Sequence, residues 1–332
     1  MSYRIITHGG CMDGYCSAFV IKRYFLPLLN IADKDIEIIQ LQPRDVQGKD
    51  FKFTKNDIVV DLPQPRVPVL FWCDHHITSQ PTTPLPDTYH WKRAPSCAGV
   101  LLDIAWEQGV TKTKALEEFR DASDIMDDAA YTKEMIKECF YPFKATTPSI
   151  LQQMHLISAM FHTRDPNLNQ EVFRTLLNLN LEETPLECKE LWTLRPEMYY
   201  TSLMEGYKQW RELVSTYVTY NEDVRCVVQD DRKITSTKGV YDRFYVYLKF
   251  PKAKYGINVR VADEKEAKMG IGCNIFHKEW CMVNIGELCA EVGKKFGEGS
   301  GGGHPTVGGT TISPKNVDKA IEFVLERLNE EI

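Results

Sequence analysis

Residues 69–73, Val-Leu-Phe-Trp-Cys, form an unbroken apolar run that ends on Asp74, His75 and His76. A run without polar alternation predicts a strand buried on both faces, the habit of parallel sheets covered by helices. In open α/β sheets ligands collect at the carboxyl ends of the strands, so this acid and its two imidazoles are predicted at the working edge. Two other runs share the construction: Tyr3–Thr7 leads into His8-Gly9-Gly10-Cys11-Met12-Asp13-Gly14, and Ile58–Val60 ends on Asp61. Ile36–Leu41 reads as a further strand. Tyr15–Phe25 reads as a helix that stops before Pro27. Strand, glycine turn and helix together open a βαβ unit.

After a loop with Pro81, Pro84 and Pro86, helices are predicted over Ser96–Gln108, closed by Gly109, and from Thr111 into Ser123–Ala129. Helical patterning dominates from about 130 to 218. Composition shifts at Asn221-Glu222-Asp223, beyond which Arg225–Val228, Phe244–Phe250, Ile257–Val261 and Met269–Ile275 are strand-like. A helix over Asn284–Phe296 leads into Gly299-Ser300-Gly301-Gly302-Gly303-His304, and an amphipathic helix, Lys315–Leu328, follows. The expected class is α/β: an N-terminal parallel-sheet domain (1–135), a helical connecting region (136–221) and a smaller C-terminal α/β domain (222–332).

A formal net charge of −6 over 332 residues argues against a protein that coats duplex nucleic acid, though not against local phosphate binding through metals. The ten cysteines include no C-x-x-C pair, and a disulfide framework is not expected. With no apolar run of about 18 residues and a polar N-terminus, the expectation is a cytoplasmic protein without membrane attachment.

Four acid or acid–imidazole groups fall within the first 130 residues: His8 with Asp13, Asp61, Asp74 with His75 and His76, and Asp124 with Asp127 and Asp128. Mixed carboxylate and imidazole donors suit a divalent ion such as Mn²⁺, and two such ions clamp an in-line phosphoryl displacement. The glycine run before His304 lets backbone N–H groups approach an anion. His155 with His162, and the aromatics Trp192, Trp210, Tyr199 and Tyr200, lie on apolar helical patterns and read as structural.

Asp13-Gly14 after the first strand, Asp61 on a later one, Cys73-Asp74-His75-His76, and a late Gly-Gly-Gly-His together resemble the DHH/DHHA1 phosphoesterases. That family includes RecJ-type nucleases, nanoRNA/pAp phosphodiesterases and cyclic-dinucleotide phosphodiesterases. The similarity covers roughly residues 3–135 and 223–312. It implies an active site between the two domains, with His8, Cys11, Asp13, Asp61, His75 and Asp127 as metal ligands and Asp61 as the bridge. Asp124 and Asp128 are alternates to Asp127. It further implies Asp74 as support for its neighbours, His76 facing the scissile phosphate, and substrate contacts from Gly301, Gly302, Gly303 and His304. Arg260 and Asn274 are weaker candidates for phosphate or base contacts.

One position departs from the family pattern, which places an aspartate where this chain has Cys11. A thiolate there binds softer ions such as Zn²⁺ or Fe²⁺; alternatively Cys11 is a packed small residue and the first metal position is weak. The implied cofactor is Mn²⁺, one or two ions, with Mg²⁺, Co²⁺, Zn²⁺ or Fe²⁺ as substitutes. The implied substrate is a short single-stranded oligonucleotide or nucleotide, such as pAp or a linear or cyclic dinucleotide, and a homodimer is possible. The competing expectations are a pyrophosphate or polyphosphate phosphohydrolase and a non-catalytic nucleotide-binding protein on a decayed scaffold.

Overall fold

A computed structural model describes residues 3–139 and 218–330, apart from 231, 233–243, 262–263, 298 and 300, with scattered helical positions between 149 and 217. His162, Trp192, Trp210, Tyr199, Tyr200 and Ser300 lie outside the described residues, as does much of the region 136–221. The chain divides into two compact units, one containing Met1–Ala130 and the other Ser202–Ile332.

The first unit runs β1 (Tyr3–His8), α1 (Met12–Val20), α2 (Leu26–Leu28), β2 (Ile36–Leu41), α3 (Pro43–Gln47), β3 (Asp57–Val60), β4 (Phe71–Asp74), β5 (Tyr89–Trp91), α4 (Cys97–Glu107) and α5 (Lys114–Asp127). Its five strands form one sheet in the order β2-β1-β3-β4-β5, every pairing parallel. Both faces are covered, as the apolar runs demand. Ile6, Val59 and Trp72 pack with Val46, Leu62 and Tyr89 on one side. On the other, Phe71 meets Phe25, and Phe19 meets Phe119 of α5. Ile58, Val59 and Val60 are wholly buried, each contributing about 1.5–3 kcal/mol.

Register then fixes the site. Thr7 pairs with Val60 and Val60 with Cys73, so the next residues along, His8, Asp61 and Asp74, arrive at one level of the sheet edge. The expected stop before Pro27 is not what the chain does. A π-helical turn over Ile21–Phe25 carries α1 on into α2. The wider turn accommodates the missing N–H of Pro27, and the helix ends instead at Asn30, in the left-handed region at φ 56°.

The second unit contains α6 (Lys133–Cys139), β6 (Val218–Asn221), β7 (Cys226–Asp230), α7 (Tyr245–Lys249), β8 (Tyr255–Val261), β9 (Ala267–Cys273), α8 (Ile285–Phe296), β10 (Gly301–His304), β11 (Val307–Ile312) and α9 (Val317–Asn329). Its sheet order is β10-β11-β9-β8-β7-β6, antiparallel except for β7 with β8. Residues of α8 and α9, among them Leu288, Val292, Ala320 and Val324, share a core with Ile257, Met269 and Ile271 of the sheet.

Two expectations are corrected here. Phe244–Phe250 is not a strand: Tyr245–Lys249 is a short helix, because Val246 and the adjacent Tyr247 are both buried against Val218, Val227 and Ala253. Adjacent buried side chains do not suit a half-buried strand. The glycine run, expected to offer its backbone N–H groups to an anion, is in part an edge strand: Gly301–His304 pairs with Val307–Thr310. Cys273, at the end of β9, and Cys281, eight residues on, sit side by side with Cα atoms 5.7 Å apart.

Candidate metal centre

Asp61 stands at the centre of the strand-end cluster. It is 1% exposed, and its backbone sits at φ 54°, a conformation few non-glycine residues adopt. Its N–H still donates to the Cys73 carbonyl at 3.0 Å, which ties the residue to β4. Its two carboxylate oxygens face different neighbours: Oδ2 lies 3.3 Å from Nδ1 of His8, and Oδ1 lies 3.6 Å from Nε2 of His75. Neither oxygen has a hydrogen bond of acceptable geometry. Buried carboxylate oxygens left this way are costly unless something else takes their lone pairs.

Asp13, one residue into α1, is aimed by a helix it does not belong to. Its Oδ2 accepts the N–H of Cys97 at 2.7 Å and its Oδ1 that of Ala98 at 2.9 Å, both from the first turn of α4. Ser96 caps that helix by accepting the N–H of Gly99. A helix N-terminus favours the carboxylate electrostatically as well. The same Asp13 Oδ2 lies 3.6 Å from Nε2 of His75.

His75 is oriented from behind. Its Nδ1 lies 2.9 Å from the Ala94 carbonyl, a contact that places the proton on that nitrogen and turns Nε2 toward Asp13, Asp61 and Asp127. Asp127, in the last turn of α5, comes within 3.3 Å of Nε2. The two alternates are engaged differently: Asp124 accepts from Ser96 Oγ at 2.5 Å and pairs with Arg120, and Asp128 is the C-cap of α5.

Asp74 is fully buried, and its Oδ1 accepts from the backbone N–H of His75 and of His76 and from Nδ1 of His76 at 2.7 Å. That triple contact leaves Nε2 of His76 pointing away from the acid on a side chain 29% exposed. Cys11, the N-cap of α1, makes no capping bond with its thiol, and its Sγ lies 3.8 Å from Oδ1 of Asp127.

The charges are strongly coupled. Burial and the carboxylates of Asp61 and Asp127 push Asp13 well above the ordinary carboxylate range. Burial, with Asp61, raises Asp127 to about 6. Burial alone would lower His75, but the charge of Asp61 3.6 Å away and of the surrounding carboxylates raises it to about 11; His76, held by Asp74, rises to about 9. Burial opposes ionisation of Asp61, yet His75 and His8 hold it far below the usual value. The Cys11 thiol is pushed up by desolvation and by the three carboxylates, although part of the residue's surface stays open. Protons here occupy positions that cations would fill.

Among the described residues three donor groups emerge, His8 with Cys11 and Asp61, Asp13 with His75 and Asp127, and an overlapping one of Asp61, Asp74, His75 and His76, the ligand atoms of each lying within 4.8 Å of one another. The unsatisfied oxygens of Asp61 and the mixed O, N and S donors fit divalent cations.

In the second unit the glycines of the hairpin divide by face. Gly301 has no room for a side chain, because a Cβ would fall 2.2 Å from the Cys289 carbonyl oxygen of α8. Gly302 points into open space. It stands in register with Gly309, which pairs with Gly270, which pairs with Asn258. Close packing of α8 therefore accounts for one half of the run and not for the other. Arg260 is exposed on β8, whereas Asn274 is fully buried, its amide donating to the Ala253 carbonyl and accepting from the Phe276 N–H.

From sequence Ser96 is only the start of a helix over Ser96–Gln108, and neither it nor Ala94 is a candidate site residue. The signal was there in a serine directly before an apolar helical pattern, but the carboxylate that uses the cap comes from a residue more than 80 positions away.

No protein-family profile and no curated protein sequence matches the chain. Solved structures do. A pGpG-specific phosphodiesterase, PggH from Vibrio cholerae, superposes with a TM-score of 0.66 at 20% identity over 100% of both chains. The chain has the DHH/DHHA1 fold. RecJ from Thermus thermophilus in complex with Mn²⁺ matches with a TM-score of 0.54 at 14% identity, over 98% of this chain and 52% of RecJ. An exopolyphosphatase-related protein from Bacteroides fragilis matches at 0.51 and 13% identity, over 99% and 93%. Among the described residues no helix is long and apolar enough to cross a membrane.

Proposed function

We propose that this protein is a metal-dependent phosphoesterase that hydrolyses short nucleotidic substrates, linear dinucleotides and short single-stranded oligonucleotides foremost. The observation that carries the reading is Asp61, buried and unsatisfied, set between two donor sets at the carboxyl edge of a parallel sheet. The fold shared with a dinucleotide phosphodiesterase and with Mn²⁺-bound RecJ supports the substrate class and the metal.

In this reading His8, Cys11, Asp13, Asp61, His75 and Asp127 hold two divalent ions, Mn²⁺ foremost, whose Lewis acidity activates water and neutralises charge on the phosphoryl group. The chain's own contributions are definite. The α4 N–H groups and the Ala94 carbonyl preset Asp13 and His75 before any ion arrives, which reduces reorganisation. In the metal-free protein Asp74 holds the His76 imidazole up to about 9 against the desolvation that lowers it, which favours the doubly protonated ring. Asp74 holds its Nδ1–H, so the Nε2–H is offered to a phosphate oxygen or to the leaving oxygen. The hairpin Gly301–His304 and Arg260 serve as a further recognition element for phosphate or base, in a C-terminal domain beginning near residue 222. The setting proposed is cytoplasmic.

The test is product release from pGpG, pApA, di- to pentanucleotides of RNA and DNA, pAp, cyclic dinucleotides and inorganic pyrophosphate with Mn²⁺, Mg²⁺, Co²⁺ and Zn²⁺. Mononucleotide release that collapses in Asp61→Ala and His75→Ala supports the reading. Cleavage of pyrophosphate or polyphosphate alone transfers the assignment to an inorganic phosphohydrolase, and unchanged release in both variants removes this site from the chemistry.

A further inference from the structure

We propose that Cys11 makes the metal centre chemically asymmetric, with a thiophilic ion such as Zn²⁺ or Fe²⁺ at His8–Cys11–Asp61 and an oxygen-preferring ion such as Mn²⁺ or Mg²⁺ at Asp13–His75–Asp127. The inference rests on the metal reading given above and adds to it the identity of each position.

Three observations carry it. First, two of the donor groups differ in kind: His8, Cys11 and Asp61 offer nitrogen, sulfur and oxygen, whereas Asp13, His75 and Asp127 offer oxygen, nitrogen and oxygen, and a third group, Asp61, Asp74, His75 and His76, overlaps both without adding sulfur. Thiolate selects Zn²⁺ and Fe²⁺ over Mg²⁺ and Mn²⁺, whereas carboxylate-rich sites favour the harder ions. Second, Asp61 faces both sets through different oxygens, Oδ2 toward His8 and Oδ1 toward His75, so it joins the positions without making them equivalent. Its side chain is buried and unsatisfied, which marks the space between the sets as one built for cations.

Third, Cys11 is not core filler. Among the described free cysteines, Cys16, Cys73, Cys97, Cys226 and Cys289 are buried, and Cys11 alone keeps a partly open surface. It sits at the first residue before α1, with its thiol unused as a helix cap and directed to the side of Asp127. Charge also balances. A thiolate with Asp13, Asp61 and Asp127 supplies four anionic ligands against two dications, the count that an aspartate at position 11 would give. The substitution therefore changes the softness of one position and leaves its charge alone.

The experiment uses the full chain, stripped with chelator and titrated with Co²⁺ while near-ultraviolet absorption is followed, then loaded with equimolar Zn²⁺ and Mn²⁺ and analysed by mass spectrometry after desalting. The expected result is a thiolate-to-Co²⁺ charge-transfer band saturating at one ion per chain, and a loaded protein holding one Zn²⁺ beside one Mn²⁺. Cys11→Asp, with its fold checked by circular dichroism, loses the band. Its preference for Zn²⁺ over Mn²⁺ falls by about 10–100-fold, the range seen when a metal site's supporting groups are changed. Two Co²⁺ bound without a thiolate band, or a band that survives in Cys11→Asp, overturns the asymmetry while leaving the metal centre standing. No binding of any divalent ion overturns both.

Discussion

Gly14→Ala tests whether the start of α1 is as tightly seated on β1 as the structure shows. A Cβ at this position would lie 2.2 Å from the carbonyl oxygen of His8 and 3.0 Å from the His8 Cβ. The carbonyl belongs to a strand paired on both sides, so it has nowhere to go, and α1 must withdraw by about 1 Å to reach van der Waals contact. Overpacking of this kind costs about 1–3 kcal/mol. The bond from Thr7 Oγ1 to the Gly14 carbonyl, 2.5 Å and buried, would be stretched in the same movement, at about 1 kcal/mol. The sum is roughly 2–4 kcal/mol, read in urea unfolding, or a fall of roughly 3–6 °C in Tm for a protein of this size. Because His8 and Asp13 flank the displaced turn, Mn²⁺ affinity measured by calorimetry should drop about tenfold or more. Gly302→Ala is the control: it meets nothing within 4 Å and should change stability by less than about 0.5 kcal/mol. If Gly14→Ala unfolds within that same margin of the wild type, the seating of the helix described here is wrong.

Two further outcomes follow from the site. His76→Ala should retain its metal content by mass spectrometry and lose about 10²–10³ in kcat, since Nδ1 of His76 is taken by Asp74; His76 also falls in a candidate donor group with Asp61, Asp74 and His75, and loss of metal together with activity would make it a ligand instead. In the metal-free protein, Asp127 is raised to about 6, Asp13 is raised, and His75 and His76 are raised to about 11 and about 9. Groups raised in the folded state contribute stability below their unfolded values and lose it as pH climbs through the folded ones. The depressed Asp61 acts oppositely, but only below its unfolded value of 3.8. The urea midpoint of the chelated protein should therefore fall from about pH 4 to pH 9, and Mn²⁺ should flatten the curve; a midpoint that rises with pH over that range contradicts the charge arrangement.

The parallel sheet was legible because its strands are continuous apolar runs, and its edge was legible because three of them stop on acids or imidazoles. What distance in sequence hid was the support. The reading of Asp13 needed no knowledge of α4, but its orientation comes from Cys97 and Ala98. Tyr245–Lys249 misled for a different reason: aromatic and β-branched residues favour strands, and only the packing of Val246 and Tyr247 onto neighbouring strands selects a helix. The glycine run carried two meanings under one composition. Gly301 is glycine because α8 lies against it, and Gly302 has no such reason.

Asp61 holds a left-handed backbone that glycine would occupy without effort. Replacing it by glycine would relieve about 1 kcal/mol of backbone strain but would leave the raised imidazoles of His8 and His75 without the carboxylate they face, so the strain is retained for the charge it positions.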